Sequence, residues 1–554
     1  MNKLSSLTRK EELKSLNEKN FDLIVIGGGM TGAGIALDAA SRGLSVALFE
    51  KQDFAQGTSS RSTKLVHGGL RYLEHLEFGV VRAVGRERRI VHENAMHIVL
   101  PERMILPIVD GGSLGEITTN IALKMYDFLA DVKREEKRKM LSVNETIKAE
   151  SLLESEKLKG GAMYYEYKTD DARLTIEVLK KAVEYGAKVF NFADVTDYIY
   201  DIDFKVAGVK VQCLSENRNI EVYGKYVVNA TGVWVDDMRQ KDDNNAEKKL
   251  HLTKGVHIVV PKEKLPLKHS IYFDTGDKRM VFAIPRFDVV YIGTTDTDYS
   301  KNYENPDVEL KDVQYLVKAI NDIAPKAKIK YEDVESAWAG LRPLIHEEGK
   351  APSELSRKDE IFYSESGLIS IAGGKLTGYR LMAKKIVGII RKRMENDFGR
   401  DIGKCKTKKI KLSGGEFDFD YSLIKLVEYA DKKYDEAKQT GISIEDFKKI
   451  FYRYGKNIDF VTNKAFEFYN EEKDSKKAWI KAEVWYVVNY EAATDLADFF
   501  IRRTGMIHFF INEIKQVQQI VADYLQELLE WTDEQKIENI ANFEKDYLKA
   551  TVFE

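Results

Sequence analysis

Short apolar runs, each followed by glycine and then by a helical pattern, recur along the first two thirds of the chain. The first run covers residues 21–26 (FDLIVI), and three glycines follow at 27–29. Apolar positions from 31 to 42 then repeat with helical spacing, and a second apolar run covers 44–49 and ends at Glu50. Short apolar runs are typical of buried strands, so this stretch predicts a strand–helix–strand unit.

Two later stretches repeat the same pattern. Residues 226–232 (YVVNATG) run from a strand into a glycine turn, and residues 367–390 (GLISIAGGKLTGYRLMAKKIVGII) continue from such a turn into an amphipathic helix. Units so far apart predict one discontinuous Rossmann-like nucleotide-binding domain. We assign it to residues 20–75, 150–250 and 335–395.

The chain between these segments has a different pattern. Residues 257–263 and 269–299 are short β-rich runs separated by turn residues, which predict a largely antiparallel sheet. We assign a substrate-binding domain to residues 76–149 and 251–334. After a basic, glycine-ended linker near residue 404 the pattern becomes helical, with the strongest helix expected over 476–503. The predicted fold class is therefore α/β and α+β, with an all-helical domain over 405–554.

Composition narrows the classes of function. The 554 residues are 44% hydrophobic and 32% charged, with a formal net charge of −3, which gives no reason to expect a nucleic-acid partner. The two cysteines, Cys213 and Cys405, lie far apart, which argues against a disulfide framework, a structural zinc or an iron–sulfur cluster. No histidine pair has metal-site spacing, and no apolar run approaches the ~20 residues of a membrane span. We expect a cytoplasmic protein that could still bind a membrane surface.

The first glycine turn has the pattern of a dinucleotide site. Gly27, Gly29 and Gly32 match GxGxxG between a strand and a helix, and Glu50 ends the next strand. Such glycines let the backbone approach a pyrophosphate, and the terminal acid binds ribose hydroxyls. The return of two later segments to the same domain favours FAD over NAD, because an NAD domain is usually contiguous. No second GxGxxG motif of comparable quality appears in the sequence.

Residues 59–75 (SSRSTKLVHGGLRYLEH) combine hydroxyls, cations, a histidine and a glycine pair. His67 gives this stretch a potential base, since a neutral imidazole can accept a proton near neutral pH. Arg71 is a candidate anion ligand, whereas Lys64 alone could be a solvated cation. Asp170 and Asp171 are interpreted as helix N-caps for the pattern that follows them. For the segment 294–296 (TTD), lining a pocket and forming a turn remain equal alternatives.

The motifs, taken together, resemble a known family. In order they are the glycine-turn segment from Asp22 to Glu74, DDARL (170–174), VNATGVWVD (228–236), KGVHIVVP (254–261), IGTTDTDY (292–299), GLRPL (340–344) and GGKLTGYR (373–380). This series closely resembles the FAD-dependent glycerol-3-phosphate dehydrogenases of the D-amino-acid-oxidase-like flavoprotein superfamily. The resemblance spans residues 20–395 and continues more weakly into the helical domain.

The resemblance implies that sn-glycerol 3-phosphate is the substrate and that FAD accepts a hydride from its C2. Phosphate favours guanidinium and ammonium donors. We assign catalysis to His67, Arg71 and Arg342, and substrate binding to Arg71, Arg342, Arg357, Lys375 and His257, where the motif around Arg357 matches least well. His257 is more simply interpreted as a structural strand-edge histidine. The cofactor site is assigned to Gly27, Gly29, Gly32, Glu50, Thr58, Ser59, Ser62, Val195, Gly374, Lys375, Leu376 and Thr377.

The resemblance also implies how electrons leave the flavin. A dehydrogenase of this family passes them to a membrane quinone, so the protein would dock peripherally on the cytoplasmic face, with the basic run 133–139 and the apolar run 121–130 as candidate contacts. The first alternative is an oxidase that reduces O₂ to H₂O₂, although oxidase relatives carry an inserted segment without an obvious counterpart here. The second is a non-catalytic flavin sensor. A homodimer is an open expectation.

Overall fold

The computed structural model describes residues 2–16, 19–68, 78–112, 115–129, 136–153, 156–277, 279–346 and 359–553. The candidate residues Arg71 and Arg357, and residues 133–135 of the basic run, lie outside these ranges. The described strands are β1 Asn20–Ile26, β2 Val46–Phe49, β3 Leu65–Val66, β4 Leu100–Val109, β5 Lys139–Leu141, β6 Leu158–Lys168, β7 Lys188–Phe190, β8 Ala193–Tyr200, β9 Val206–Cys213, β10 Arg218–Asn229, β11 Leu250–Pro261, β12 Ser270–Asp274, β13 Met280–Arg286, β14 Val289–Gly293, β15 Thr297–Asp298, β16 Ser336–Ile345, β17 Asp359–Tyr363 and β18 Ile369–Gly373.

The α-helices of the described residues fall into two groups. Those before residue 400 are α1 Arg9–Lys14, α2 Met30–Ser41, α3 Phe78–Asn94, α4 Glu116–Leu129, α5 Val143–Ala149, α6 Asp171–Glu184, α7 Val235–Asp242, α8 Leu310–Ile323 and α9 Tyr379–Phe398. Those of the C-terminal region are α10 Leu423–Ala437, α11 Ile444–Tyr454, α12 Ile458–Glu472, α13 Ser475–Tyr490, α14 Met506–Phe509, α15 Ile511–Leu529 and α16 Asp533–Thr551.

The first sheet has the order β17-β18-β10-β1-β2-β7, with β9 and β8 attached through β10. Its central strands β18, β10, β1, β2 and β7 run parallel, and β1 is buried along nearly its whole length. Helices α2, α6 and α9 pack together on the sheet. Parallel strands covered by helices read as continuous apolar runs, which is why the sequence pattern predicted them.

The second sheet has the order β15-β11-β14-β13-β12-β4-β6-β3, with β16 beside β11 and β5 beside β6. Its pairs are antiparallel except for β12 with β4. β6 and β16 belong to this sheet, although they lie within the segments 150–250 and 335–395 that we assigned to the nucleotide-binding domain. The exact domain boundaries stay a prediction, because strands of the second sheet interrupt the chain more often than its composition indicates.

The C-terminal region is helical, as predicted, and with the two sheets it confirms the predicted fold class. Its core continues into the second sheet through Trp338 and Tyr291. The single long helix expected over 476–503 is wrong. Helix α13 ends at Tyr490, Ala492 has a positive φ of 49°, and residues 498–503 form a π-helical turn. The chain turns here because buried Glu491 binds Arg173 and Lys180 on α6. No helix in the described part of the chain is both long and apolar enough to cross a membrane.

Candidate active site

The carboxyl ends of β1, β2, β10 and β18 open onto a cavity of about 170 Å³. This is the edge at which open parallel sheets bind ligands. The predicted residues Gly27, Gly29, Glu50, Thr58, Ser59, Ser62, Gly374, Lys375 and Leu376 line it. The glycine turn and the later GGKLT segment therefore meet at one site, although about 350 residues of chain separate them, as the repeated strand–glycine–helix pattern predicted.

Two glycines of the first turn are required by close approach. A Cβ atom on Gly27, whose φ is +108°, would lie 2.6 Å from the carbonyl oxygen of Ala230. A Cβ atom on Gly32 would lie 1.9 Å from the carbonyl oxygen of Gly27. Gly32 does not line the cavity; it lets α2 pack on the turn, which is the third role of the GxGxxG pattern.

The acid at the end of β2 is held by its own backbone neighbours. The Glu50 carboxylate accepts hydrogen bonds from the N–H groups of Gly28 (2.6 Å) and Gln52 (3.0 Å). Burial raises the pKa of Glu50, and these two hydrogen bonds oppose the rise. A buried indole N–H of Trp234 on the same cavity wall has no partner. A dinucleotide, with ribose hydroxyls and phosphate oxygens, fits this set of acceptors, donors and close backbone, so these residues would hold FAD.

The hydroxyl groups predicted to bind FAD mainly fix the loop that carries them. Thr58 donates to the carbonyl of Leu341 (2.7 Å), and Ser62 donates to Asp171 (2.7 Å). Ser59 accepts from the N–H of Met30 (2.9 Å). Direct contact of these hydroxyls with the cofactor stays a prediction. Val195 lies on β8 with its side chain in the apolar core and is not among the residues lining the cavity.

A second cavity of about 140 Å³ adjoins the first and shares Thr58, Ser62, Pro343, Gly374, Lys375 and Leu376 with it. The predicted catalytic and substrate residues His67, His257, Arg342 and Lys375 line this second cavity, together with the predicted cofactor residue Thr377. We name the two together the cleft. Thr377 joins its two sides by donating a hydrogen bond to the carbonyl of His67 (3.1 Å).

Arg342 is held in the cleft by the segment 294–296. Its Nη2 donates to Thr294 Oγ1 (2.9 Å) and its Nη1 donates to Asp296 Oδ1 (3.0 Å). A Cβ atom on Gly255 would lie 2.5 Å from Nη2, so a side chain at this position would displace the guanidinium. Residues 294–296 are not among the residues that line either cavity; they orient Arg342, which does line one.

The two candidate histidines differ in their surroundings. His67 packs edge-on against Phe282, with ring centroids 6.1 Å apart. His257 stacks on Trp338 at 4.8 Å, and its Nε2 lies 3.0 Å from Thr63 Oγ1. Burial, aided by Arg342 and Lys64, lowers the pKa of His257 well below its usual value. Its enclosed ring agrees with the structural interpretation, which leaves His67 as the better candidate base.

The expectation that Lys64 is a solvated cation is wrong. Lys64 is 2% exposed, and its Nζ donates to Asp171 Oδ1 (2.6 Å) and to the carbonyl of Ser60 (2.9 Å). Asp170 caps α6 by accepting from the N–H of Arg173, as predicted. Asp171, however, is fully buried and binds Ser62 and Lys64, so it anchors the motif that carries His67. A salt bridge between residues 107 apart leaves no local sequence pattern.

Sequence reasoning also missed the support behind His67. The N–H of Gly68 lies 3.2 Å from Glu166 Oε2 and 3.1 Å from the Tyr126 hydroxyl. Arg88 donates to the same Glu166 oxygen (2.7 Å), and Tyr126 donates to its Oε1 (2.7 Å). All three side chains are buried. An acid at a buried position of β6 was the one hint in the sequence.

Within the described residues no group of three or more His, Cys, Asp or Glu side chains could hold a metal ion.

Two family models match the chain. The model described as FAD dependent oxidoreductase matches residues 22–380, and the model described as C-terminal domain of alpha-glycerophosphate oxidase matches residues 405–536. The matched ranges cover the two sheets with the cleft and most of the helical region. They confirm FAD as the cofactor.

Curated relatives and a solved structure extend this likeness over the whole chain. The chain is 48% identical to the aerobic glycerol-3-phosphate dehydrogenase of Bacillus subtilis, over 98% of this chain and 97% of that protein. It is also 48% identical to the Staphylococcus aureus enzyme of the same name, over 96% and 95%. The glycerol-3-phosphate dehydrogenase of Bacillus halodurans, solved in complex with FAD, superposes with a TM-score of 0.83 at 40% identity and covers 99% of this chain and 98% of that one.

Proposed function

Because the chain belongs to the family of aerobic glycerol-3-phosphate dehydrogenases, within the FAD-dependent oxidoreductases, we propose that it oxidises sn-glycerol 3-phosphate to dihydroxyacetone phosphate. The observation that carries this proposal is the cleft itself. His67, Arg342 and Lys375 line a cavity that directly adjoins the cavity of the predicted cofactor residues. A base and two cations beside a flavin site suit an alcohol that carries a phosphate.

The residues of the cleft have separate proposed roles in the oxidation of sn-glycerol 3-phosphate. Arg342, whose fork is oriented by Thr294 and Asp296, binds the phosphate and so places C2 of the substrate near the shared wall of the two cavities. His67 accepts the proton of the C2 hydroxyl. FAD, when bound, accepts the hydride from C2 and is reduced by two electrons. Arg71 and Arg357 are proposed to complete the phosphate site.

The role of His67 can be separated from a general effect on folding. His67→Asn keeps a polar side chain and removes the base, so we expect kcat with an artificial electron acceptor to fall by about 10²–10⁴-fold. His269→Asn, which changes a histidine outside the lining of the cleft, is the matched control and should retain activity. Equal activity of the two variants would reject His67 as the base.

We further propose that the reduced flavin passes its electrons to a membrane quinone and that α4 is the membrane contact. Ile121 and Phe128 are 57% and 84% exposed, and Lys124 lies on the same face of this helix. An exposed apolar stripe with a cation is typical of helices that lie in an anionic lipid interface. Lys139, the last residue of the basic run, is also exposed.

Co-sedimentation with anionic phospholipid vesicles tests this contact. Phe128→Ser should reduce the bound fraction, because it removes the most exposed apolar side chain of α4. Phe204→Ser is the matched control: Phe204 is 81% exposed but lies at a turn between β8 and β9. Equal binding of both variants would show that α4 is not the contact, and no binding by the unchanged protein would reject peripheral association.

A second candidate function is glycerol-3-phosphate oxidase. The match of residues 405–536 to a C-terminal domain named for an alpha-glycerophosphate oxidase favours it. Reoxidation of the reduced protein by air separates the two. Fast reoxidation with stoichiometric H₂O₂ indicates an oxidase, whereas slow reoxidation that a quinone accelerates indicates a dehydrogenase. The homodimer stays a prediction that sedimentation velocity can test.

A further inference from the structure

The chain reaches His67 from the short strand β3, which pairs with β6. In this antiparallel pair Val66 lies opposite Tyr167, so extending the register by one position puts Glu166 opposite His67. The regular pairing ends at Val66. Beyond that point the side chain of Glu166 continues the contact, because its Oε2 accepts from the N–H of Gly68 (3.2 Å).

The peptide unit between His67 and Gly68 is held at both of its polar ends. Its carbonyl accepts a hydrogen bond from the Thr377 hydroxyl (3.1 Å) on one side. Its N–H lies between the Tyr126 hydroxyl (3.1 Å) and Glu166 Oε2 (3.2 Å) on the other. Because a peptide unit is planar, holding both ends fixes its orientation and with it the Cα atom of His67.

Close packing also defines the position of Gly68. A Cβ atom on Gly68 would lie 2.1 Å from the hydroxyl oxygen of Tyr126 and 2.7 Å from two carbon atoms of its ring. The Tyr126 side chain is 1% exposed and packs in the apolar core, so the ring has no open space into which it could turn. The phenol therefore forms a wall against which the backbone after His67 rests.

Glu166 and Tyr126 are themselves held in place. Buried Arg88 donates from Nη1 to Glu166 Oε2 (2.7 Å) and to the Tyr126 hydroxyl (3.0 Å). The Tyr126 hydroxyl in turn donates to Glu166 Oε1 (2.7 Å). Burial raises the pKa of Tyr126, so the hydroxyl keeps the proton that it donates. Hydrogen bonds to charged groups are the strong ones, so this network gives Gly68 a fixed pair of acceptors.

We propose that Tyr126 and Glu166 are positioning residues for His67, because they fix the peptide unit that follows it and so hold the imidazole where it accepts the substrate proton. Neither side chain is among the residues that line the cleft, so both act through the backbone. A base must lie within hydrogen-bond reach of its proton, and a displacement of about 1 Å can cost about 10²-fold in rate. This inference rests on the role proposed for His67.

The test is the first-order rate of flavin bleaching when the FAD-loaded protein is mixed anaerobically with sn-glycerol 3-phosphate. This rate constant does not depend on how much of the protein folds and retains FAD. Tyr126→Phe removes the hydroxyl and keeps the ring. We expect the limiting rate at saturating substrate to fall about tenfold. The half-saturating concentration should change little, since Arg342 is untouched.

Tyr454→Phe is the matched control. Tyr454 is also fully buried, but its hydroxyl has no hydrogen-bond partner and it ends α11 in the helical region, so the bleaching rate should stay unchanged. Glu166→Gln keeps the size of the side chain and removes its charge, and we expect a loss of about 10–100-fold. Because this variant also takes the ionic partner from buried Arg88, Tyr126→Phe is the decisive substitution if Glu166→Gln does not fold.

A double-mutant cycle separates positioning from a general structural role. In the His67→Asn protein no base remains to be positioned, so adding Tyr126→Phe should lower the residual rate by less than about twofold.

Three results would overturn the inference. They are an unchanged limiting rate in Tyr126→Phe, a change confined to the half-saturating concentration, and an equal fold loss with and without His67. Full-rate bleaching by His67→Asn alone would instead reject the role proposed for His67, and this inference with it, so the two failures can be told apart.

Discussion

The substitution Asp53→Asn should destabilise both the helical region and the loop that lines the cofactor cavity, which we call the cofactor loop, because Asp53 joins them. Asp53 follows β2, and residues 56–59 of the same loop line the cofactor cavity. Its carboxylate accepts from Arg503 Nη1 (2.7 Å) and Nη2 (2.9 Å) and from Arg502. Burial alone would raise the pKa of Asp53, but the two arginines outweigh burial and lower it. The carboxylate is therefore charged and fully buried in the folded protein.

The size of the destabilisation depends on which hydrogen-bond partners Arg502 and Arg503 retain after the substitution. Removing one partner of a buried ion pair costs about 3–5 kcal/mol. Arg502 retains Asp498 at 2.7 Å, whereas Arg503 is left with the carbonyl of Glu491. Burial and the neighbouring acids raise the pKa of Asp498, so it can ionise further once Asp53 is neutral. We therefore expect the lower end of that range, about 3 kcal/mol.

The assay is the temperature at which flavin fluorescence appears as FAD leaves the protein. For a cooperative unit of some 150–250 residues, a loss of about 3 kcal/mol lowers the midpoint by roughly 6–12 °C. Asp459→Asn is the matched control, because Asp459 pairs with Lys433 at the surface and should change the midpoint by less than about 2 °C. Equal midpoints for the two variants would refute the view that the buried ion pair holds the cofactor loop.

Three further predictions concern the cleft and the core. Arg342→Lys loses the guanidinium fork held by Thr294 and Asp296, so KM for sn-glycerol 3-phosphate should rise about 10–100-fold while kcat changes less. The control Arg239→Lys lies away from the cleft and should leave the steady-state kinetics unchanged. A loss of activity confined to kcat in Arg342→Lys would contradict a binding role for Arg342. Gly32→Ala places a Cβ 1.9 Å from the Gly27 carbonyl and should abolish FAD retention measured by absorbance, whereas Gly388→Ala, where nothing lies within 4 Å, should not. Burial lowers the pKa of His97, His257 and His508, so only the unfolded chain takes up protons at these histidines below about pH 6.5. Their contribution to the free energy of unfolding is therefore complete above that pH and is lost as the pH falls, by about 1.4 kcal/mol per histidine at pH 5.5. A flavin-release midpoint that stays constant from pH 7.5 to 5.5 would contradict this prediction.

Those parts of the fold that repeat a local pattern could be predicted from the sequence. The β1–α2–β2 unit follows from two apolar runs, a glycine turn and helical spacing. That Gly27 and Gly374 line the same cavity follows from the recurrence of that pattern later in the chain. The end of α13 at Tyr490 could not be predicted, because it depends on buried Glu491 binding Arg173, a residue 318 positions away. Glu491 looks like an ordinary solvent-exposed residue in a helical pattern.

The site was predictable to a similar extent. Residue type and motif indicated His67, Arg342 and Lys375, which line one cavity. The side chains that hold them were not predictable: Asp171 beneath Ser62 and Lys64, Asp296 beside Arg342, and Glu166 behind Gly68. Each of these contacts joins two different strands, helices or loops through a hydrogen bond or an ion pair, and such pairs depend on tertiary packing and leave no periodic pattern in the sequence.

The most direct test of the central claim is anaerobic mixing of the FAD-loaded protein with sn-glycerol 3-phosphate while the visible flavin band is recorded. The account predicts prompt bleaching of the band, with one dihydroxyacetone phosphate formed per flavin reduced, and the loss of this bleaching in His67→Asn. An unbleached band in protein that retains its FAD would contradict the assignment of the cleft as a site for oxidising a phosphorylated alcohol.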